Sequence, residues 1–195
     1  MSKGKLNPAL REYAGSFLAN FDDVPENRKK ELDRVAEFIS NRLTSNGTAK
    51  LTFICTHNSR RSHMGQIWAQ TAAYFYGVEG IQTYSGGTEA TAFNPNAVKA
   101  MKAAGFDIKS DGKAENPVYN VGYANNRAPM QAYSKRYDDE SNPQEDFCAI
   151  MTCSDADENC PFIPGAALRI PITYEDPKAY DNTSVEEKAY AERCF

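Results

Sequence analysis

The feature that most constrains the fold is the junction between an apolar run and a helical pattern near residue 55. The run Lys50-Leu51-Thr52-Phe53-Ile54 is short and rich in strand-forming residues. After a polar stretch, apolar side chains recur at spacings of three and four from Met64 to Phe75, and Gly77 is expected to end that pattern. A strand that passes into a helix through so short a loop is typical of an α/β domain.

The rest of the chain continues the alternation of strands and helices. The later segments are strands at 81–85, 147–152 and 167–170, and helices at 94–105 and from 184 onward. We expect Gly86-Gly87 to turn the chain after the second strand. The pattern predicts an α/β fold with a four-stranded parallel sheet and helices on both faces. Cys55 and Cys153 both follow predicted strands, at the edge of the sheet where such folds bind ligands.

Two regions lie outside this pattern. Residues 1–48 predict a helical N-terminal extension, which either packs against the main domain or serves as a partner-docking arm. The catalytic domain is expected to span residues 49–195, with an insertion at about 108–145 that is polar and interrupted by prolines. The insertion is a lid, a small hairpin or a mobile loop. The apolar positions of the extension are Leu10, Tyr13, Phe17 and Phe21, then Leu32, Val35, Ile39 and Leu43.

Charge and hydropathy exclude several classes of protein. The net charge of −4 over 195 residues, without a basic stripe, argues against a nucleic-acid partner. No apolar run is long enough to span a membrane. The polar start, Met1 to Lys5, leads into no apolar signal segment, so we expect a cytoplasmic protein that does not bind membranes.

The five cysteines are unusual for a compartment that keeps thiols reduced. In such a reducing compartment, spaced cysteines are more often catalytic or metal-binding than structural. The two histidines, His57 and His63, lie beside Cys55 without the paired spacing of zinc ligands. We therefore expect nucleophilic or redox chemistry, with no metal and no other cofactor.

The segment 55–62, here called the anion loop, carries the most specific chemical signal. Backbone N–H groups and the N-terminus of the following helix can cradle a tetrahedral dianion, and Arg61 can hold two of its oxygens. The same positive field favours the thiolate form of Cys55, and the Ser62 hydroxyl can stabilise it. Asn58 is suited to fix the loop, because Asn tolerates left-handed backbone. The anion-binding candidates are Thr56, His57, Asn58, Ser59, Arg60 and Ser62 around the nucleophile Cys55.

At this point a family resemblance appears. The chain resembles the low-molecular-weight protein tyrosine phosphatases, especially their arsenate reductase branch that is recharged by thioredoxin. The resemblance covers residues 49–107 and 146–195 and implies their flavodoxin-like fold. It rests on the anion loop, on Tyr84-Ser85-Gly86-Gly87, on Asn94-Pro95-Asn96-Ala97-Val98-Lys99-Ala100-Met101, on Cys153-Ser154-Asp155-Ala156-Asp157-Glu158-Asn159-Cys160-Pro161 and on Glu175-Asp176-Pro177.

The resemblance implies roles for single residues. Cys55 attacks arsenate or another phosphate-type oxyanion, Arg61 holds it, and Asp176 supplies a proton. Cys153 then attacks Cys55, and Cys160 attacks Cys153, which leaves a disulfide for thioredoxin to reduce. The segment between the two cysteines looks polar and flexible, as such a rearrangement requires. One alternative is phosphotyrosine hydrolysis without the second and third cysteines. Another is an oxyanion-binding or redox-sensing module that is not an enzyme.

The chain also departs from that family's pattern. His57 replaces a usual glycine, and its side chain either crowds the anion pocket or adds a donor. Arg60 replaces a common cysteine. The reductase branch has a potassium site that includes Asn58, Ser85 and an acidic residue of the following helix. Here the uncharged Gln66 stands at that acidic position, so the resemblance does not extend to the full potassium site. Cys148 is expected in the core, and Cys194 receives no role. The last helix is shorter than the family's usual one.

Overall fold

The computed structural model describes residues 5–17, 22–110, 112 and 114–194. The regular elements follow the predicted alternation, with additional strands in the insertion. They are α1 (Pro8–Phe17), α2 (Glu26–Asn46), β1 (Ala49–Cys55), α3 (Arg61–Tyr76), β2 (Ile81–Gly87), α4 (Pro95–Ala103), β3 (Asp107–Ser110), β4 (Tyr119–Gly122), β5 (Met130–Ala132), β6 (Phe147–Met151), α5 (Ser154–Asn159), β7 (Ala166–Pro171) and α6 (Glu186–Cys194).

The main sheet has four strands in the order β2-β1-β6-β7, and every neighbouring pair is parallel. All five residues of β6 are buried, as expected of a central strand covered on both faces. Alternate residues of β6 face opposite sides: Ile150 belongs to one core cluster with residues of α2, whereas Met151 belongs to another with Ala156 of α5. Helices therefore cover both faces of the sheet, and the predicted α/β fold is confirmed.

The N-terminal helices pack onto this domain. Leu6 and Leu10 are buried in one core cluster with residues of α3 and α4, and the Asn7 backbone N–H donates to the Tyr123 carbonyl in the insertion (2.9 Å). On the far side, Val35 of α2 is buried against the sheet. Both predicted helices are present. The Phe17 side chain and Phe21 lie outside the described residues.

The insertion contains a small antiparallel sheet in the order β3-β4-β5. It has more regular structure than a hairpin, and Ile108, Val121 and Ala132 are buried beneath it. Within the described ranges of the chain, no helix is both long and apolar enough to span a bilayer.

One local prediction is wrong. Gly86-Gly87 do not turn the chain, because β2 continues through Gly87, which pairs with Cys55 of β1. A Cβ at Gly86 would lie 2.3 Å from the Cα of Tyr137, so only glycine lets the insertion approach this strand so closely.

Candidate active site

The anion loop lies between the end of β1 and the start of α3, at the carboxyl edge of the sheet. Cys55 is the last residue of β1 and is buried. Its neighbour across the sheet is Gly87, where a Cβ would lie 2.7 Å from both the Asn58 nitrogen and the Thr56 oxygen. The glycine therefore allows β2 to support the loop by direct backbone contact.

Asn58 fixes the middle of the loop as expected. It is fully buried and adopts left-handed backbone, with φ of 45°. Its Nδ2 donates to the Ser62 hydroxyl (2.8 Å), and its Oδ1 accepts from the backbone N–H of Lys135 (2.9 Å). One side chain thus ties the loop both to helix α3 and to the insertion.

The Cys55 sulfur lies 3.1 Å from the Ser62 hydroxyl oxygen. Because that oxygen accepts from Asn58, its own hydrogen is free to point at the sulfur, where it would stabilise a thiolate. Among the described residues, no acceptor is found for the backbone N–H groups of residues 57–62. Those groups at the start of α3 are available to an anion.

The insertion supports the loop from outside, which the sequence did not predict. The Ser134 hydroxyl donates to the His57 carbonyl (2.9 Å) and accepts from the Thr91 N–H (2.8 Å). The following Lys135 is buried, which lowers its pKa, and its Nζ lies 4.4 Å from the Tyr133 ring centroid. These contacts join residues that are far apart in sequence, so no local pattern predicts them. They are recognised only in the structure, where this polar stretch is buried beside the loop.

His63, one turn into α3, is fully buried beneath the loop. Its Nδ1 lies 3.3 Å from the Ser85 hydroxyl, and its ring stacks on Phe93. Burial, and then the nearby Lys135 ammonium, lower the pKa of His63 to about 3. The imidazole is therefore neutral near pH 7 and serves as a packed polar support.

Arg61 and Asp176 meet although 115 residues separate them in the chain. The Arg61 Nη2 lies 2.6 Å from the Asp176 Oδ2, and its Nη1 donates to the Tyr174 carbonyl (2.9 Å). The Arg61 Nε is buried and has no hydrogen-bond partner in the described part of the chain. In this state the Asp176 carboxylate occupies the guanidinium that an oxyanion would need.

The three residues that depart from the family's pattern, His57, Arg60 and Gln66, each have different contacts. The His57 ring is half-exposed, with its Nε2 3.6 Å from the Glu89 carboxylate. Arg60 bonds to Asp181 and to Tyr190 of α6. The Gln66 amide donates to the Thr83 carbonyl (3.1 Å).

Cys153 lies beside the anion loop. It is completely buried, and its sulfur is 3.5 Å from the Thr56 hydroxyl. Cys160 is partly exposed. The two cysteines cap opposite ends of α5, and seven residues of helix at ~1.5 Å each would separate their Cα atoms by roughly 10 Å, more than a disulfide allows.

The segment that looked polar and flexible is not an irregular loop in this structure, because residues 154–159 form a helix. The Cys153 sulfur accepts from the Ala156 N–H (3.4 Å), which caps the first turn. Arg169 of β7 holds the other end, where its Nε donates to the Cys160 carbonyl (3.0 Å) and its Nη2 to the Asp157 carbonyl (2.6 Å). The segment 153–160 is here called the redox segment.

The remaining cysteines lie apart from the anion loop. Cys148 is fully buried inside β6, and burial raises its pKa to about 12. Cys194 is buried against Trp68 and Met101, and burial raises its pKa to about 11. Both thiols stay protonated near pH 7, so neither has the thiolate character of a nucleophile.

Comparison with known proteins shows the family to which this chain belongs. Residues 50–121 match the family of low molecular weight phosphotyrosine protein phosphatases. Arsenate reductase 2 of Staphylococcus epidermidis is 32% identical over 125 residues, which cover 64% of this chain and 76% of that protein. The arsenate reductase of Bacillus subtilis is 31% identical over 141 residues, covering 72% of this chain and 83% of that protein.

A solved low molecular weight phosphotyrosine phosphatase from Vibrio cholerae aligns over 75% of this chain and 87% of that chain, with 16% identity and a TM-score of 0.48. From the sequence relatives, the chain belongs to the low molecular weight phosphotyrosine protein phosphatase family. It is an enzyme of a family that includes tyrosine phosphatases and arsenate reductases.

Proposed function

We propose that this enzyme reduces arsenate to arsenite with Cys55 as nucleophile and Cys153 and Cys160 as the electron donors. The observation that carries this proposal is the position of Cys153, buried against Thr56 beside the nucleophile, with Cys160 one short helix away. A phosphatase completes its cycle with water and has no use for that pair. The curated relatives named arsenate reductase support the same choice.

Binding begins with an exchange of partners at Arg61. Arsenate binds to the free N–H groups of the anion loop. It replaces Asp176 as the hydrogen-bond partner of the Arg61 guanidinium. The Asp176 carboxyl group, released from its cation, can then carry a proton to the oxygen that leaves as water. Cys55, whose thiolate is stabilised by Ser62, forms the bond to arsenic.

Two electrons then pass from sulfur to arsenic. The Cys153 thiolate attacks the Cys55 sulfur, the sulfur–arsenic bond breaks, and its electron pair leaves with arsenite. Cys160 next attacks Cys153 and releases Cys55 as a thiol. Each arsenate thus consumes two thiols and yields one disulfide, one arsenite and one water.

The last step requires the redox segment to unwind, because α5 keeps the two cysteines apart. Opening would also expose the Cys153–Cys160 disulfide to thioredoxin, which we propose as the reductant in the cytoplasm. The exposed Phe162, two residues beyond Cys160, offers an apolar contact for that partner.

One observation favours the second candidate, phosphotyrosine hydrolysis. The Tyr174 ring is half-exposed beside the site, where its carbonyl accepts from Arg61 and the Arg28 guanidinium lies 5.1 Å from its ring centroid. An aromatic ring at this rim can pack against the ring of a phosphotyrosine substrate. In that reaction Cys153 and Cys160 have no role.

A coupled assay decides between the two. Reduced enzyme is mixed with thioredoxin, thioredoxin reductase and NADPH, and NADPH oxidation is followed with and without arsenate. Sustained arsenate-dependent oxidation supports the reductase. No oxidation beside rapid hydrolysis of phosphotyrosine peptides would reject it and establish the phosphatase. An Asp176→Asn variant with unchanged turnover in both assays would show that Asp176 is not the proton donor.

A further inference from the structure

We propose that Arg60 and Tyr190 are positioning residues that keep Asp176 over the anion loop while Arg61 is engaged by the substrate. The proposal rests on the proposed function only in taking Asp176 as the proton donor. The segment from Tyr174 to Asp181 is here called the acid segment, and it includes a 3₁₀ helix at Pro177–Tyr180.

Two neighbouring arginines hold the two ends of the acid segment. Arg61 binds the first end through Asp176 and the Tyr174 carbonyl. Arg60 binds the other end, with its Nη2 3.0 Å from the Asp181 Oδ2. Its Nε also lies 3.9 Å from the Asp176 Oδ1. The acid segment is therefore attached to the anion loop at both ends.

Tyr190 completes the second attachment. Its hydroxyl oxygen accepts from the Arg60 Nε (2.6 Å), and its hydrogen is donated to the Asp181 Oδ1 (2.7 Å). Arg60, Tyr190 and Asp181 thus form a closed ring of three hydrogen bonds, two of them charge-assisted by the arginine. Burial raises the pKa of Tyr190 to about 12, so its hydroxyl keeps this proton near pH 7.

The ring of Tyr190 is fixed by the core. It is 1% exposed and belongs to the cluster that includes Met101 of α4 and Cys194 of α6. Its hydroxyl therefore reaches the site from a rigid element, whereas the acid segment has only a short 3₁₀ helix of its own. Helix α6 acts through Tyr190 as a fixed support for that segment.

Substrate binding makes the second attachment necessary. When an oxyanion takes the Arg61 fork, the Arg61–Asp176 ion pair is lost at the moment when Asp176 must donate its proton. The Arg60–Tyr190–Asp181 ring does not involve Arg61 and stays closed. It keeps Asp176 within reach of the leaving oxygen, where small displacements of a catalytic group cost much of its effect.

Hydrolysis of two aryl phosphates provides the test. Phenyl phosphate needs a proton on its leaving oxygen, whereas 2,4-dinitrophenyl phosphate leaves as a stable anion without one. The kcat/KM ratio of phenyl to dinitrophenyl phosphate therefore measures how well the acid is placed. It reports ester cleavage and does not depend on the redox cysteines.

We expect Tyr190→Phe and Arg60→Met each to lower this ratio about tenfold, and Asp176→Asn to lower it at least about a hundredfold. The combined Arg60→Met/Tyr190→Phe variant should lose no more than either single variant, because both break one ring. Arg60→Lys, which can keep the bond to Asp181, should recover part of the loss. Lys188→Met, on the exposed side of α6 beside Glu192, is the matched control and should leave the ratio unchanged.

Equal losses on both esters in Tyr190→Phe would show a merely structural role and overturn the proposal. If Tyr190→Phe does not fold, Asp181→Asn and Arg60→Met carry the same test, because each breaks the same ring. An Asp176→Asn ratio equal to that of the wild type would reject Asp176 as the acid. A normal ratio in Tyr190→Phe and Arg60→Met would overturn the proposal. The expected losses in these variants, together with a wild-type enzyme that does not reduce arsenate, would reject the reductase and leave the positioning role intact.

Discussion

The anion loop and the redox segment both follow parallel strands at the same edge of the sheet, yet they are held in different ways. The loop is fixed from several elements by buried hydrogen bonds through Asn58, Ser62 and Ser134. The redox segment contains a helix of six residues. It contacts the loop where the Cys153 sulfur lies 3.5 Å from the Thr56 hydroxyl, and the partly exposed Arg169 side chain holds its other end.

This difference corresponds to different tasks. An oxyanion site stabilises charge best when its donors are already in place, because no reorganisation is then needed during the reaction. A pair of cysteines about 10 Å apart on a helix reacts only after the helix opens, so its helix should be held weakly. We therefore expect the anion loop to keep its conformation during the reaction and α5 to open.

Removing the thiols of the redox segment should distinguish the functions of the two regions most clearly. Cys153→Ser and Cys160→Ser should each lower arsenate turnover at least about a hundredfold, because no recyclable disulfide can form. Hydrolysis of an aryl phosphate should stay within about twofold, because the anion loop is untouched. Thioredoxin-coupled and phosphatase assays on the same preparations measure both. Cys194→Ala is the control, and repeated arsenate turnover by either serine variant would refute the relay.

Replacing Asn58 should weaken the loop itself. Asn58→Ala removes two buried hydrogen bonds and leaves an alanine at φ of 45°, so we expect a loss of about 2–3 kcal/mol in the free energy of unfolding. Arsenate and aryl phosphate activities should both fall, by about 10- to 100-fold.

The matched variant is Asn58→Gly, which loses the same bonds without the backbone strain and should be about 1 kcal/mol more stable than Asn58→Ala. Urea unfolding and steady-state kinetics provide the measurements. A loss of one activity without the other in Asn58→Ala would show that the loop does not serve both reactions.

Freeing the end of α5 should make the redox segment react faster. Arg169→Met removes bonds to the carbonyls of Cys160 and Asp157, so the helix opens at a smaller cost. With oxidised glutathione as the electron acceptor, formation of the Cys153–Cys160 disulfide should accelerate about tenfold, equivalent to roughly 1.4 kcal/mol. Thiol titration and amide hydrogen exchange over α5 follow the change. Lys109→Met, in an exposed ion pair of the insertion, is the control. Unchanged exchange and oxidation would mean that Arg169 does not limit opening.

The last prediction concerns the dependence of stability on pH, with no change expected in activity near pH 7. The unfolded chain protonates His63 below about pH 6.5, whereas the folded chain does so only near pH 3, so stability is lost as the pH falls through this window. His63→Gln should lower the slope of the free energy of unfolding against pH in this window by up to about 1.4 kcal/mol per pH unit. Denaturant unfolding at several pH values checks it, with the exposed His57→Gln as control. An identical slope in wild type and His63→Gln would contradict a buried neutral imidazole.

Local sequence patterns predicted the parallel sheet and the anion loop, because each signal lies within a few adjacent residues. The left-handed backbone of Asn58 is one example, since it follows from residue type and the tightness of the turn. The supports of the site were not predictable in this way. Lys135, Tyr190 and Arg169 reach it from distant parts of the chain, and each resembles an ordinary surface residue when it is met in sequence.

The conformation of the redox segment was also not predictable from its composition. Its polar residues indicated a flexible segment, whereas a capping sulfur at Cys153 and the bonds from Arg169 stabilise a helix there. Tertiary contacts decided the conformation, as is common for segments too short to be helical alone. Composition alone therefore could not show that disulfide formation requires unwinding.

The most direct test of the account is a single turnover of fully reduced enzyme with excess arsenate and no thioredoxin. We predict one arsenite per chain, and peptide mapping should find a disulfide between Cys153 and Cys160 with Cys55 as a free thiol. Cys55→Ser should yield neither product. Arsenite formed without that disulfide, or no arsenite from active phosphatase, would contradict the three-cysteine reduction proposed for this enzyme.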